Sequence, residues 1–516
     1  MRDGAQTEGI SLSVEDKLLI LTKLDELGIP YVEGGWPASS PKEMEFFRKA
    51  KKLKLKHSTL TAFGSTRKAN TPVGKDSQVA SLLESETKVV TIFGKSWDLH
   101  VREVFRVPLE ENLRMIAETV AYLKQHNRVV MYDAEHFFDG FRENPEYALK
   151  TLEVAVQSGA NTVILCDTNG GSLPSFVHEV VDEVQRHLHV QLGIHCHNDS
   201  DLAVANSIAA VEAGVVQVQG TINGYGERCG NANLCSIIPV LQIKMGYACI
   251  PQDRLKSLTE ASHYVAEVCN MRPDDHQPFV GSSAFAHKGG VHINAVMKNA
   301  RTYEHVDPNV VGNRQRILVS ELGGKSTIME RAKVLQMEAA SDPEKAKAFL
   351  KQVQELENQG YHFEAAEASF ELLMKRAYKK FKRFFELEKF SVLVEKAPGG
   401  TLTSQATIKL NVDGKSEHRV AEGDGPVNAL DKALRKALQE FYPTLAKMHL
   451  VDFKVRVLES QVGTAAKVRV LIQSQDEKDS WWTMGVSENI IEASWQALVD
   501  SIEYKLLKDR AHKDGK

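Results

Sequence analysis

The sequence predicts an α/β fold, in which a (β/α)8 TIM barrel is followed by a helical linker and a C-terminal α+β domain. From residue 13 to about 240, short β-branched runs alternate with amphipathic segments of helical period, which is typical of repeated βα units around a parallel sheet. Beyond about residue 390 the apolar period changes to two. We therefore predict a barrel over 1–250, helical linker subdomains over 251–389 and a separate domain over 390–516.

The first helix of the barrel is marked at both ends. Ser13 and Asp16 have the spacing of a capping box, in which each side chain bonds the other residue's main-chain N–H. Gly28 has the position of a C-cap, because glycine readily adopts the left-handed conformation that ends many helices. We expect a barrel strand to follow at Tyr31, Val32 and Glu33.

Seven barrel strands are predicted, most of them short runs rich in β-branched or aromatic residues. They lie at 31–33, 58–63, 89–93, 129–132, 162–166, 190–195 and 215–220. A (β/α)8 barrel has eight strands. We therefore expect either that the first strand is missing, because its place in the order falls before Met1, or that the count of seven omits one strand.

The C-terminal domain shows the same order of elements twice. Every second residue from Ala406 to Val412 is apolar, and Asp413-Gly414 supplies a hairpin turn. Three strands precede a helix over 391–441, and the pattern recurs over 450–507. We predict two βββα units that pack sheet to sheet or across a dimer axis. The linker is predicted to contain helices at 345–357 and 364–385.

The composition excludes several classes of partner. Lys and Arg number 64 and Asp and Glu number 68, so the net charge of −4 provides no basic surface for nucleic acid or membranes. Six cysteines without a CxxC pair favour a reducing compartment. The N-terminus lacks a signal-peptide layout, and no apolar stretch approaches the ~18 residues of a membrane span. We predict a cytoplasmic protein with small-molecule or protein partners.

His195 and His197 are the strongest candidates for chemistry. They lie two residues apart at the end of a predicted strand, where side chains i and i+2 point to one face and can bind the same ion. The alternative is that they are ordinary polar residues at a strand end. The carboxyl ends of barrel strands hold the active sites of this fold, which favours a metal site.

Polar residues follow other predicted strands as well, at Arg2-Asp3-Gly4, 133–136, 167–170 and in the glycine-rich run 224–231. Each alone fits a cap, a surface group or a tight loop. Because the carboxyl ends of the strands meet at one end of a barrel, we expect these groups to converge on one ion. Two imidazoles and one carboxylate leave open positions for a bidentate oxo acid.

Two further groups lie in the linker, in the run from His287 to His292 and at Tyr303. A loop histidine is solvated by default. A helical subdomain that covers the barrel mouth can instead deliver a general base from this segment.

Taken together, these motifs resemble the 2-isopropylmalate, homocitrate and citramalate synthase family over nearly the full length of the chain. Five motifs occur in the family's order: Arg-Asp-Gly, HxH, GxGERxGN, Gly-(Val/Ile)-His and a C-terminal regulatory domain. They stand here at 2–4, 195–197, 224–231, 290–292 and 390–516. The resemblance implies a metal-dependent Claisen condensation of acetyl-CoA with a 2-oxo acid on a (β/α)8 barrel.

The resemblance also implies the ligands of the metal. Asp3, His195 and His197 hold a divalent ion, which is Mn, Mg, Zn or Co, and Asn231 is a further or outer ligand. Family members carry a strand before the Arg-Asp-Gly motif. Since this chain has only Met1 there, Asp3 is expected to lie on an unanchored segment.

The remaining roles implied by the resemblance concern the two substrates. Arg2 polarises the keto oxygen, Thr168 contacts the carboxylate of the oxo acid, and Glu135 orients acid–base chemistry. His292 with Tyr303 deprotonates the acetyl methyl group. These two residues often come from the neighbouring subunit in similar enzymes, so a homodimer is implied.

Four stretches, at 2–9, 32–37, 93–100 and 132–141, resemble the members that use pyruvate as acceptor and lead toward isoleucine. Feedback inhibition by isoleucine at the C-terminal domain is therefore expected. The alternatives are a 2-isopropylmalate synthase that takes 2-oxoisovalerate, an aldolase or lyase on the same barrel, and a non-catalytic protein kept for amino-acid sensing. An aldolase or lyase has no need of the C-terminal repeat.

Overall fold

The computed structural model describes residues 1–318, 328, 343–378, 381, 383–396, 398–458 and 466–514. The chain divides into two compact units. Unit 1 is Met1–Phe285 with Val306–Gln315, and unit 2 is Ala286–His305 with Arg316–Lys516. Each helix in the described residues is too short or too polar to cross a membrane.

Unit 1 is built on a parallel sheet whose strands follow one another in chain order. The strands are β1 (Tyr31–Gly35), β2 (Thr59–Ser65), β3 (Val89–Lys95), β4 (Val129–Glu135), β5 (Thr162–Asp167), β6 (Gln191–Cys196) and β7 (Gln217–Gln219). All seven predicted strands are confirmed, with ends shifted by a few residues. Within the described residues β1 and β7 end the sheet, and residues of both line a cavity of about 730 Å³.

Helices precede, connect and follow these strands, as the predicted βα pattern requires. They are α1 (Val14–Leu27), α2 (Pro41–Ala50), α3 (Ser77–Glu84), α4 (Asp98–His100), α5 (Leu109–Gln125), α6 (Phe137–Glu143), α7 (Pro145–Gln157), α8 (Pro174–His187), α9 (Ala203–Glu212), α10 (Leu234–Pro239) and α11 (Leu258–Val268). The predicted capping box is present, since Ser13 Oγ accepts from Asp16 N at 3.1 Å and the Asp16 carboxylate accepts from Ser13 N at 2.8 Å. Gly28 ends α1 with a φ of +91°.

The core of unit 1 occupies both faces of the sheet. Along β5, Val163 and Leu165 belong to the apolar cluster that includes the helices, whereas Ile164 and Cys166 belong to a second cluster with Val89 and Met131. Successive side chains of a strand point to opposite faces, so an alternation of two apolar clusters buries both. This is why these strands appear in the sequence as nearly continuous apolar runs.

Unit 2 contains a small two-stranded element and two antiparallel sheets. The first elements are β8 (Ala286–His287), α12 (Gly290–Lys298), β9 (Arg316–Ile317), α13 (Pro343–Asn358) and α14 (Glu367–Ala377). Helix α14 is shorter than the helix predicted over 364–385, of which residues 379, 380 and 382 lie outside the described residues. The sheets and their helices are β10 (Glu386–Lys396), β11 (Leu402–Val412), β12 (Lys415–Gly423), α15 (Pro426–Leu438), β13 (His449–Val457), β14 (Val468–Gln475), β15 (Ser480–Ser487) and α16 (Ile490–Asp514).

The two predicted βββα units are confirmed by this order of elements. β11 is the middle strand of the first sheet and β14 the middle strand of the second. Ala406, Ile408, Leu410 and Val412 are all buried, as their period of two predicted. Their cluster also includes Val470 and Ile472 of β14 and apolar residues of α15 and α16, so both sheets share one core.

Replacing Gly28 by alanine is expected to lower the free energy of unfolding by about 2–4 kcal/mol, measured by urea denaturation. An added Cβ meets the rigid ring of Pro251 at 2.4 Å from Cδ, and the φ of +91° is unfavourable for alanine. Gly9→Ala is the matched control, because Gly9 has a φ of +86° but nothing within 4 Å of its added Cβ. Equal losses in the two variants would contradict the importance of the Pro251 contact.

Candidate active site

A carboxylate and two imidazoles meet at the carboxyl end of β6. Asp3, His195 and His197 are all buried, and their ligand atoms lie within 4.8 Å of one another. His195 Nε2 is 3.2 Å from Asp3 Oδ2 and 3.4 Å from His197 Nε2. The structure therefore brings Asp3 and the two histidines of the HxH pair together, as the sequence predicts. Carboxylate oxygen and imidazole nitrogen are ligands common to many divalent metal sites.

The N-terminal segment that carries Asp3 is anchored, and the expectation of an unanchored segment is wrong. Arg2 donates its main-chain N–H to the Glu33 carbonyl of β1 at 3.1 Å. Thr7 Oγ1 accepts from Gly226 N at 2.6 Å. Bonds at both ends of the segment, to β1 and to the loop after β7, bring Asp3 into the interior without requiring a preceding strand.

The two imidazoles differ in pKa, because their charged neighbours differ. Burial by itself lowers the pKa of His195, but the hydrogen bond and charge of Asp3 outweigh burial and raise this pKa to about 8. Burial and the neighbouring His195 lower the pKa of His197 to about 4. Burial opposes ionisation of Asp3, but Arg2 and His195 hold the pKa of that carboxyl far below its usual range. Asp3 therefore favours the protonated form of His195, and His195 favours the ionised form of Asp3.

Gln219, which the sequence reasoning missed, orients His195. The Nδ1–H of His195 donates to Gln219 Oε1 at 2.8 Å, which leaves Nε2 to face Asp3 and His197. Gln219 in turn donates through Nε2 to Asp133 Oδ1 at 3.0 Å. Burial and the nearby Glu33 raise the pKa of Asp133 to about 7. The sequence feature that could have identified Gln219 is its position as a polar residue within a predicted barrel strand.

Arg2 lies beside the metal ligands. Its guanidinium is 3.2 Å from Glu33 Oε2 and 3.3 Å from Asp3 Oδ1. It also covers the ring of Phe63, with Cζ 3.8 Å from the ring centroid. The ring of Phe63 stacks on that of Phe93, with 5.5 Å between centroids. A fixed cation and an apolar aromatic surface therefore lie next to the Asp3 carboxylate.

Asn231 is held beside His197 by the glycine-rich loop. The two residues form an isolated antiparallel bridge, and Asn231 Nδ2 donates to the Tyr225 carbonyl at 3.2 Å. A Cβ on Gly226 would lie 2.0 Å from Asn231 Nδ2, so this loop requires glycine to approach the amide. Asn231 Oδ1 is buried and accepts no hydrogen bond from any described residue.

Glu135 and Thr168 lie on neighbouring strand ends. Glu135 ends β4 and forms an ion pair with Lys95 of β3, its partner in the strand register. Lys95 is buried and was missed by the sequence reasoning. Thr168 Oγ1 accepts the main-chain N–H of His136 at 2.9 Å, so its own hydroxyl proton remains to donate.

His292 and Tyr303 belong to unit 2. His292 is on α12, and its ring stacks on the ring of Tyr303 with 4.1 Å between centroids. Both side chains are exposed, Tyr303 by 45%. Nearby, His287 Nε2 is 3.0 Å from the buried Glu304 Oε1. The structure brings these two predicted residues together, in the unit that does not contain Asp3.

The family of the chain is decided by comparison with known proteins. A family model described as HMGL-like matches residues 1–265, more than half of the chain. The chain belongs to the HMGL-like family. A homocitrate synthase post-HMGL domain-like model matches residues 279–361, and a LeuA allosteric (dimerisation) domain model matches residues 364–506. The HMGL-like match covers the part of the chain that holds Asp3, His195 and His197.

Relatives of this HMGL-like chain match it along almost its whole length. It is 56% identical to an (R)-citramalate synthase of Aquifex aeolicus, over 99% of this chain and 97% of that protein. It is 53% identical to an (R)-citramalate synthase of Geobacter sulfurreducens, over 98% and 96%. A 2-isopropylmalate synthase of Methanocaldococcus jannaschii is 31% identical, over 98% and 94%. The family resemblance predicted from the five motifs is thus confirmed.

Proposed function

We propose that this chain is an (R)-citramalate synthase, an acyltransferase that condenses acetyl-CoA with pyruvate in isoleucine biosynthesis. The observation that carries the proposal is the buried group of Asp3, His195 and His197 beside Arg2, in a chain whose relatives at 53–56% identity have that name. The alternative, a 2-isopropylmalate synthase, is supported by a relative at 31% identity.

The residues present fit a divalent metal. Asn231 Oδ1 is a buried oxygen that accepts no hydrogen bond from any described residue, Asp3 presents a buried carboxylate, and His195 presents Nε2 because Nδ1 is engaged. Asp3, His195 and His197 would hold the ion, with Asn231 as a further or outer ligand. When bound, Mn, Mg, Zn or Co supplies Lewis acidity toward a keto oxygen.

The residues of the chain have separate proposed tasks in the condensation. Arg2 stabilises the negative charge that develops on the keto oxygen, and the Thr168 hydroxyl donates to the acceptor carboxylate. His292, with Tyr303, takes a proton from the acetyl methyl group, and the resulting carbanion attacks the keto carbon. Glu135 orients the acid–base chemistry. Water then cleaves the thioester, so acetyl-CoA, pyruvate and water give citramalate and CoA.

An aromatic wall next to Arg2 supports a small acceptor. Phe63 and Phe93 are stacked, and Trp36 packs edge-on against both at centroid distances of 5.9 and 5.7 Å. An oxo acid whose keto group faces Arg2 presents its side group toward this wall. A methyl group requires less space there than the isopropyl group of 2-oxoisovalerate, which favours pyruvate.

The proposed homodimer is supported by the match of residues 364–506 to the LeuA allosteric (dimerisation) domain. Strands β10 and β13 expose apolar side chains such as Leu393, Val394 and Phe453, which suits burial against a second chain. The exposed His292 and Tyr303 pair suits delivery to a neighbouring subunit. The cytoplasm is the proposed location, because the six cysteines are free thiols, as a reducing compartment keeps them.

A cavity in unit 2 supports feedback by isoleucine. It has a volume of about 470 Å³ and lies among α15, β13 and the 443–448 segment. Apolar Val427, Met448 and Phe453 line it together with Asp431 and Arg435. Asp431 and Arg435 pair with each other there, and an amino acid with an apolar side chain would place its charged groups beside this pair and its side chain against the apolar wall.

The function is tested by free CoA released from acetyl-CoA, with pyruvate or 2-oxoisovalerate and with or without divalent metal. Release that needs both pyruvate and metal is expected. A preference for 2-oxoisovalerate would favour the alternative synthase. Absence of release with either acid, together with isoleucine binding, would favour a non-catalytic sensor.

Metal affinity is expected to rise with pH from about 7 to about 9, because His195 has a pKa of about 8 and must lose its proton to bind a cation. Calorimetric titration with Mn²⁺ measures the affinity. Gln219→Leu, which removes the bond to His195 Nδ1, is expected to weaken binding by roughly 10- to 100-fold. His178→Asn, at an exposed histidine of α8, is the control and leaves the affinity unchanged. An affinity that is constant over this pH range would contradict the expectation.

Phe93→Ala is expected to raise the ratio of kcat/KM for 2-oxoisovalerate over pyruvate by roughly 10- to 100-fold, because it removes the ring that stacks on Phe63, the ring that Arg2 covers. Steady-state rates with both acids measure this ratio. Phe176→Ala is the matched control, because it removes an aromatic ring of α8 that packs against Phe138 of α6 and not against the ring of Phe63. An active Phe93→Ala variant with an unchanged ratio would argue against the aromatic wall.

Ala446→Trp is expected to abolish inhibition by isoleucine while leaving the rate without isoleucine unchanged, because the indole fills the cavity that Ala446 lines. Lys447→Trp places the same ring on an adjacent exposed residue that does not line the cavity, and should keep the inhibition. Inhibition curves measure both. Unaltered inhibition in Ala446→Trp would exclude this cavity as the effector site.

A further inference from the structure

Arg228 connects three loops at the edge of the candidate active site. It lies in the glycine-rich loop after β7 and binds both carboxylate oxygens of Asp199, at 2.7 and 2.9 Å. Asp199 is in the loop after β6. The same guanidinium donates to the carbonyl oxygen of Thr168, in the loop after β5, at 2.7 Å. A single side chain thus fixes the relative positions of the three loops.

The backbone of Arg228 is in a conformation that arginine rarely adopts. Its φ is +54°, in the left-handed region, which is unfavourable for a residue with a Cβ. Gly224 and Gly230 in the same loop also have positive φ values, of +69° and +93°, and are glycines. The loop therefore uses glycine where only conformation matters. An arginine at a strained position indicates that its side chain has a task.

The contact with Thr168 has a direct consequence for a bound carboxylate. Thr168 Oγ1 already accepts the main-chain N–H of His136, and its hydroxyl proton remains to donate to a carboxylate. The direction of that proton depends on where the main chain of Thr168 lies. The Arg228 bond holds the Thr168 carbonyl, whereas the His136 N–H holds the hydroxyl oxygen of the same residue.

The neighbouring loop leaves little freedom for adjustment. A Cβ on Gly170 would lie 2.7 Å from Asp199 Oδ2 and 2.9 Å from the His197 carbonyl oxygen. The loops after β5 and β6 are therefore in close contact at this point. Without the Arg228 bonds, the unpaired Asp199 carboxylate would face the main chain that follows Thr168.

We propose that Arg228 is a positioning residue that sets the affinity of the enzyme for the carboxylate of its 2-oxo acid. It acts by fixing the main chain of Thr168 and does not itself touch the acceptor. The inference rests on the proposed function, in which Thr168 contacts that carboxylate. Three simultaneous bonds in one plane need a guanidinium, and the single ammonium of lysine does not reproduce them.

The test uses Arg228→Gly in the full-length, Mn²⁺-loaded protein. Glycine adopts the positive φ without strain, so the melting temperature should not fall. KM for pyruvate is expected to rise about 10-fold or more, whereas kcat and KM for acetyl-CoA stay within about 2-fold. Added guanidinium ion should restore part of the loss. Arg228→Lys should behave similarly, and Arg186→Lys, on the exposed surface of α8, is the matched control without effect.

Calorimetry without acetyl-CoA measures the binding of pyruvate and of 2-oxoisovalerate. Together with the kinetics, it separates three outcomes. Weaker binding of either acid to Arg228→Gly than to the wild type supports the proposal. Equal binding, or a joint loss of kcat, both KM values and melting temperature, overturns it. A wild-type protein that neither binds nor turns over a 2-oxo acid refutes the proposed function, and the role of Arg228 with it.

Discussion

The contact between a buried carboxylate and a buried imidazole, Asp3 with His195, is the interaction on which the rest of the site depends. A lone charge in this position costs several kcal/mol, so each group needs the other in the absence of an ion. Their attraction joins the N-terminal segment to the end of β6. Because Arg2 precedes Asp3, the same contact brings the guanidinium to the metal ligands. Gln219 then fixes the face that His195 presents.

The polar groups of the site form a connected set on a rigid base. Loops after successive strands bond to one another, through His136 with Thr168, Arg228 with Asp199, and Asn231 beside His197. The sheet beneath them is buried on both faces, which limits movement of the strand ends. Chemistry that needs several groups within a fraction of an ångström requires such a base. The sheet thus fixes the positions, and the carboxyl ends of its strands, with the loops that follow them, carry the chemical groups.

Much of the fold could be predicted because it follows from periods and caps. The Ser13–Asp16 box, the seven strands and the alternation along β11 are local signals, and the HxH pair follows from the i and i+2 rule. Glu33, Lys95 and Gln219 were missed because their roles depend on which strand lies alongside. The expectation that Asp3 is unanchored was wrong because it rested only on the number of strands. Hydrogen bonds to the main-chain groups of Glu33 and Gly226 hold the segment instead.

The most direct test of the central claim is the fate of the acetyl methyl carbon, followed by NMR with ¹³C-labelled acetyl-CoA, pyruvate and Mn²⁺. The account predicts that the label appears in the methylene group of citramalate, one molecule for each CoA released. This result requires a new bond between the acetyl methyl carbon and the keto carbon of pyruvate. Label recovered as acetate, with CoA released but no new carbon–carbon bond, would contradict the account.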